Sequence, residues 1–255
     1  MKTQNENKND GMRAALAAET AEIGSGADLR AGGAGERTKR FTAIAMLSAV
    51  SYIVMLLSHL IPITLFGFLK LDFSDIVTVI GGFIFGPLAA LFISAVVSFV
   101  ESITISSTGP IGFVMNILST AAFACVAAFV YKRKQTMSGA VAALASGVLA
   151  MTAVMLLWNY IITPLYMSIP RAQVAAMLLT AFLPFNIVKG SINAALTLLL
   201  YKPLVTALRR ARLVPSTRGN ETLSQQRRSP AVVMIPAALV LITCVFFVLA
   251  WAGII

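Results

Sequence analysis

The chain has 255 residues, of which 58% are hydrophobic and only 12% charged, against roughly 25% charged in an ordinary soluble domain. That composition excludes a soluble globular enzyme. Of the 20 Lys and Arg and 10 Asp and Glu, seven basic and six acidic residues lie within residues 1–40. The net charge of +10 does not imply nucleic acid, because the basic residues flank apolar runs and form no continuous basic face. No nucleic-acid partner is expected, and the basic residues are read as topology signals in a lipid bilayer.

Residues 1–40 contain no aromatic residue and no sustained apolar periodicity, as in AEIGSGADLRAGGAGERTKR. They are expected to form a disordered cytoplasmic tail. A cleavable signal peptide is not expected, since the first apolar run opens only at Phe41. No charged side chain occurs in residues 41–69, 76–100, 102–131, 135–170 or 229–255. About 20 apolar residues span the hydrocarbon core, so these runs read as membrane helices.

The stretch 76–131 holds one charge, Glu101, and two candidate helix breaks, Gly86-Pro87 and Gly109-Pro110. It can hold two spans or three. With Lys39 and Arg40 inside, three spans return the chain to the inside at Lys132-Arg133-Lys134, whereas two would leave that cluster outside. Three are therefore expected. The next two spans, Gly139 to Ile161 and Met177 to Tyr201, bring the basic residues from Lys202 to Arg228 inside as well. Phe73 to Phe85 is short, about 20 Å, and needs shielding by neighbouring helices. The expected architecture is an all-α integral membrane protein with six helices over 41–213, the second of them short. A basic cytoplasmic linker at 214–230 and an additional transmembrane helix at 231–255 follow.

Polar residues inside the spans carry the functional information. Lys189 lies deep in the sixth span, with Asn186 three residues before it and Asn193 four after, all on one helical face. A charge at that depth faces a cavity, a ligand or a counter-ion. A purely structural alternative pairs Lys189 with Glu101. Asn159, in Trp158-Asn159-Tyr160 at the end of the fifth span, also needs a polar partner, and Tyr166 is expected in the outer loop after Pro164. Asp72 and Asp75 are read as capping the short second helix, with substrate contact as the alternative. Ala45 and Ala49, near Ser48 and Ser51, form a small-xxx-small pattern that fits internal helix packing as well as a partner. His59 is not expected to be catalytic. Cys125 and Cys244 are read as packing residues. HExxH, GxSxG and Walker-type phosphate loops are absent, so no enzymatic activity is expected.

The segments FLKLDFSDIVTVIGGFIFGPLAA, TGPIGFVMNILST, WNY with TPLYM, and PFNIVKG resemble the substrate-binding S components of energy-coupling factor (ECF) transporters, and within them the riboflavin-specific group. The resemblance covers about residues 41–213 and leaves out the tail and the last helix. It implies a multi-pass vitamin-capture protein of the bacterial cell membrane with a cytoplasmic amino terminus, mediating riboflavin uptake. Its implied partners are a scaffold T subunit and two ATPase subunits that supply the ATP hydrolysis. It implies riboflavin as transported substrate and no cofactor. The flavin contacts it implies are Asn159, Asn186 and Lys189, under an external loop, Ile61 to Asp75, that closes over the vitamin. It also implies that Ala45 and Ala49 meet the scaffold. Flavin mononucleotide, a different vitamin and a non-transport membrane assembly protein remain as alternatives.

Overall fold

The structure, a computed structural model, describes residues 36–60, 64–65, 69–105, 109–210 and 231–251. The tail, the basic linker and much of the first loop lie outside the described residues. Two compact units divide at Thr42 and Ala43. In the first, only residues 36–42 are described; they are the opening turns of helix α1, Glu36–Leu60. The helix thus begins five residues before the apolar run, because a terminal charged turn can stay helical while its side chains reach water.

The second unit, Ala43–Ile255, holds the bundle. After α1 comes a two-residue antiparallel ribbon, β1 (Thr64–Leu65) with β2 (Leu69–Lys70), in the register Thr64 to Lys70 and Leu65 to Leu69. The helices that follow are α2 (Ser74–Phe85), α3 (Pro87–Thr104), α4 (Gly109–Arg133), α5 (Met137–Met167), α6 (Arg171–Met177), α7 (Leu183–Arg210) and α8 (Ala231–Trp251). A π-helical turn, Leu178–Phe182, joins α6 to α7. Among the described residues, five helices are long and apolar enough to cross a membrane: α1, α3, α4, α5 and the continuous run Arg171–Tyr201. With α2 they make the expected six-helix core, and α8 is a seventh helix.

Both Gly-Pro pairs act as breaks. Gly86 adopts φ +94°, a conformation that side-chain-bearing residues avoid, and Pro87 then occupies the first turn of α3. Gly109, at φ +57°, opens α4. Residues 76–131 therefore form three helices.

At 12 residues, α2 is only about 18 Å long. It avoids lipid by being enclosed: Ser74 to Gly82 are all buried. Gly82 permits this, since a Cβ there would lie 3.0 Å from the Ala90 Cβ and 3.1 Å from the Ala128 Cβ. Polar bonds tie α2 to α1. Ser51 Oγ donates to the Ser74 carbonyl at 3.0 Å, and Ser58 Oγ accepts from the Phe73 N–H at 3.2 Å.

The bundle carries polar groups within an otherwise apolar core and has an apolar outer surface. Ser51, Asp75, Thr78, Ser94, Asn186, Asn193 and Thr197 are buried, while Leu88, Leu149 and Leu165 are each more than 70% exposed. This is the arrangement for a lipid solvent, where polar groups must find partners within the protein.

Two helix ends depart from expectation. Helix α5 continues through Pro164 to Met167, so Tyr166 lies on the helix and not in a loop. A proline removes one N–H but can be accommodated where neighbouring groups take over the freed carbonyl; the helix stops at Ser168, with φ +54°. The sixth membrane helix starts at Arg171, ahead of the expected Met177, and includes the π turn just before Pro184. The wider turn relieves the clash between the proline ring and the preceding turn's carbonyl. Helix α8 packs on α7, with Val248 joining Leu71, Phe185 and Ile192 in one apolar cluster.

Helices α4 and α5 form the most extensive helix pair. Ala124, Ala127, Ala143 and Gly147 let their backbones approach. A Cβ on Gly147 would sit 2.7 Å from the Phe123 carbonyl oxygen and 2.9 Å from its ring. Because the nearest atom is backbone, it cannot rotate away. Gly147→Val is expected to destabilise the bundle by about 1–3 kcal/mol, read as a lower thermal unfolding midpoint. Ala145→Val, on the exposed side of the same helix, should leave it unchanged.

Candidate functional site

The charged and amide-bearing interior groups converge at one end of the bundle. Contributing to it are the C-terminal turns of α1, the start of α2, the second half of α3, the first half of α4 and the first half of α7. The opposite end is closed by aromatic rings: Phe83 stacks on Tyr131 at 4.2 Å between centroids, and the Tyr131 and Tyr201 hydroxyls are 3.3 Å apart.

At the centre of the polar end is Asp75, in the first turn of α2 and fully buried. Lys189 Nζ approaches its Oδ2 to 3.6 Å. Thr120 of α4 donates to Oδ1 at 2.6 Å, and Asn193 Nδ2 of α7 donates to Oδ2 at 3.1 Å. The Asn193 amide also donates to the Asp72 carbonyl at 2.9 Å. Three helices are thereby joined through one carboxylate. Charge-assisted bonds of this kind are the strong ones, and in an apolar surround the loss of a partner is correspondingly costly.

This arrangement revises two expectations. The counter-ion of Lys189 is Asp75 and not Glu101, which instead accepts from Asn116 Nδ2 at 2.7 Å. Asp75 is not a cap. The capping work falls to Asp72, whose carboxylate accepts the Ser74 N–H at 2.8 Å and the Ser74 hydroxyl at 2.7 Å. With that turn satisfied, Asp75 is free to point into the bundle. The available signal in LDFSD was that one acidic residue suffices to cap a helix, leaving the second in need of a cation.

Of the three ligand-contact candidates, only Lys189 enters the cross-helix network. Asn186 is buried and donates to the Phe182 carbonyl at 2.7 Å, a bond that straddles the junction between the π turn and α7. Asn159 is buried and held within α5, donating to the Met155 carbonyl at 2.7 Å and accepting from Thr163 Oγ1 at 3.1 Å. Each amide is oriented by its own helix four residues back, and no hydrogen bond links these two residues to Lys189 among the described residues. Thr120 and Asn116, on α4, are partners that sequence periodicity did not single out. Neither differs in sequence from an ordinary helix-packing polar residue.

On α1 the small residues divide by face. Ser48 and Ser51 are buried, whereas Ala45 and Ala49 are exposed. Among the described residues nothing packs over the alanine pair. His59 bonds through Nδ1 to the Met55 carbonyl of its own helix at 3.1 Å.

Comparison with known proteins agrees with this architecture. A family model described as the ECF transporter, substrate-specific component, matches residues 39–201. The riboflavin transporter RibU of Staphylococcus aureus (strain TCH60) is 32% identical over 181 residues, covering 69% of this chain and 95% of that protein. The riboflavin transporter FmnP of Bacillus subtilis (strain 168) is 29% identical over 189 residues, covering 69% and 99%. A solved structure described as the S component of a bacterial ECF transporter superposes with a TM-score of 0.58 at 31% identity, covering 68% of this chain and 99% of that one. Helix α8 lies beyond the matched residues. A bundle of six helices with buried polar groups, the second helix short and enclosed, together with a family match over most of its length, makes this chain a member of the substrate-specific components of ECF transporters.

Proposed function

We propose that this protein is the riboflavin-capture subunit of an ECF-type importer. The observation that carries the reading is the face of α7 bearing Asn186, Lys189 and Asn193, buried at one end of a membrane bundle, in a chain similar to proteins named riboflavin transporters. Riboflavin presents a flat apolar ring system, a polar pyrimidine edge and a hydroxylated side chain. A mainly apolar pocket with a few convergent polar groups suits it.

Lys189 carries three donor hydrogens and no acceptor. Its charge is held by Asp75, and its remaining donors serve a flavin carbonyl or a ribityl hydroxyl. Asn186 and Asn159, each fixed by its own helix, offer an amide as both donor and acceptor. Asp75 is the positioning residue, held in turn by Thr120 and Asn193. The covering loop that the resemblance implies, Ile61 to Asp75, lies partly outside the described residues, and its last two residues, Ser74 and Asp75, belong to α2. The carboxylates Asp72, Asp75 and Glu101 at this end outnumber Lys189, which disfavours the phosphate of flavin mononucleotide and favours neutral riboflavin.

The protein performs no chemistry of its own in this reading. A scaffold T subunit and two ATPases complete the importer, and the exposed Ala45 and Ala49 form the surface of α1 that the scaffold approaches. The basic residues Lys132, Arg133 and Lys134 set that end, and the amino terminus, in the cytoplasm of a bacterial cell. The polar end then opens outward, as capture requires.

Fluorescence titration of purified protein tests the substrate: riboflavin is expected to bind one to one with quenching, and flavin mononucleotide more weakly. Saturable binding of another vitamin without flavin quenching would reassign the pocket.

A second expectation concerns Lys189. Lys189→Met alone strands the buried Asp75 carboxylate, at a cost of about 3–5 kcal/mol, and should lower the yield of folded protein. Asp75→Asn with Lys189→Met should restore the yield but leave riboflavin binding weaker by roughly ten- to a hundredfold, the worth of a bond from a charged donor. Glu101→Gln should not rescue Lys189→Met.

For the scaffold surface, Ala45→Trp or Ala49→Trp should keep riboflavin affinity and abolish uptake in cells, since the added bulk prevents close helix approach. Normal uptake by both variants would remove the alanines from the interface.

A further inference from the structure

Beside the Asp75–Lys189 pair, helices α2, α3 and α4 enclose a second polar space. It is lined by Asp72, Thr78, Ser94, Ser98, Glu101 and Asn116, among others, and offers about 10 Å³ to the centre of an occupant. That is room for one water-sized species. Ser94, Ser98 and Glu101 stand at successive intervals of four and three residues, so one face of α3 supplies half of these groups.

Two independent features point to an occupant. The first is an orphaned atom: Ser94 is 1% exposed, and its Oγ has no hydrogen-bond partner. A helical serine can ordinarily satisfy itself on the carbonyl four residues back, as Ser48 does on Ile44. Ser94 does not, and its hydroxyl lines the cavity. The second feature is charge. Asp72, Asp75 and Glu101 are the acidic residues of the stretch 41–210, and all three lie at this end. Lys189 answers Asp75. Among the described residues no ion pair answers Glu101 or Asp72; Glu101 holds one amide donor, from Asn116, and Asp72 holds the N–H and hydroxyl of Ser74. Uncompensated carboxylates within a lipid-surrounded bundle are costly and call for a proton or a cation.

The lining that faces the cavity selects among cations. Apart from Val97 it is polar, and carboxylate and hydroxyl oxygens predominate, the donor set of a hard ion. Its carboxylates are Asp72, already engaged by Ser74, and Glu101, a charge count that suits a monovalent ion better than a divalent one. A single water would satisfy Ser94 but leave the negative charge. We propose that this cavity binds one sodium ion, held by the Glu101 carboxylate and the hydroxyls of Ser94 and Ser98. The ion screens Glu101 and Asp72 and braces the start of α2 against α3 and α4. This site adjoins the Asp75–Lys189 network, since Thr120 of its lining also donates to Asp75, but the ion is held by groups of α3 and not by Lys189.

Equilibrium binding of radioactive sodium to the purified full-length protein tests it, with choline or potassium chloride holding ionic strength constant. The expected result is saturable binding of about one ion per chain, resistant to choline, with a sodium-specific rise in the thermal unfolding midpoint as mass action requires. Ser94→Ala and Glu101→Gln should each weaken sodium binding by about tenfold or more, the scale of a lost bond to a charged group. Ser146→Ala, on α5, should not. Absence of saturable sodium binding to the unaltered protein, with equal midpoints in the three salts, would overturn the proposal and leave the cavity to water or to protonated carboxylates. Sodium binding that persists unchanged in both variants would equally overturn it, by locating the ion elsewhere. If a variant fails to fold, the unaltered protein's titration still decides, and Ser98→Ala supplies a milder change on the same face.

Discussion

Asp75 is a carboxylate with no solvent exposure, in a bundle whose outer surface is built for lipid. Its position is maintained because four groups converge on the first turns of α2: Lys189 and Asn193 from α7, Thr120 from α4, and the Asp72 turn that caps the helix. Much of the polar end follows from this. Helix α2 is too short to span a bilayer and must be enclosed, and enclosure brings its acidic first turn against the lysine of α7. The lysine is thereby fixed in direction, with donors left over for a ligand.

The same enclosure explains where small residues are used. Gly82 admits Ala90 and Ala128 beside α2, and Gly147 admits the backbone of α4 beside α5. In lipid, apolar surface gains little by leaving the solvent, so close backbone approach and interior hydrogen bonds hold the helices together. Ala45 and Ala49 are small residues of the opposite kind, exposed on α1 among the described residues. In the functional reading they are used by the scaffold, and capture and docking then occupy separate surfaces.

Helix α8 lies outside residues 39–201, which the family model matches. It packs along α7 and reaches the cluster containing Leu71 and Phe185, which belong to the approach to α2 and to the Asn186 turn. An added helix at that place thickens the wall beside the polar end without contributing a charged side chain between Ala231 and Trp251.

How much of this could be read without coordinates depended on range. Charge-free runs and two Gly-Pro breaks determined the six helices and the short second one, because a bilayer imposes length and apolarity on each span independently of its neighbours. The face of Asn186, Lys189 and Asn193 followed from helical periodicity alone. Helix ends were less legible: Pro164 suggested a boundary, yet α5 runs on, and the sixth span begins at Arg171 with a π turn ahead of Pro184, since packing around a helix can stabilise turns that local preference disfavours. The partner of Lys189 was not legible at all. Glu101 and Asp75 are equally acidic residues at the margins of apolar runs, and choosing between them requires knowing which way α2 faces and how far α3 stands from α7. Exposure of Ala45 against burial of Ser48 likewise depends on the rotation of α1 about its axis. Periodicity says which residues share a face; only the packed bundle decides what that face meets.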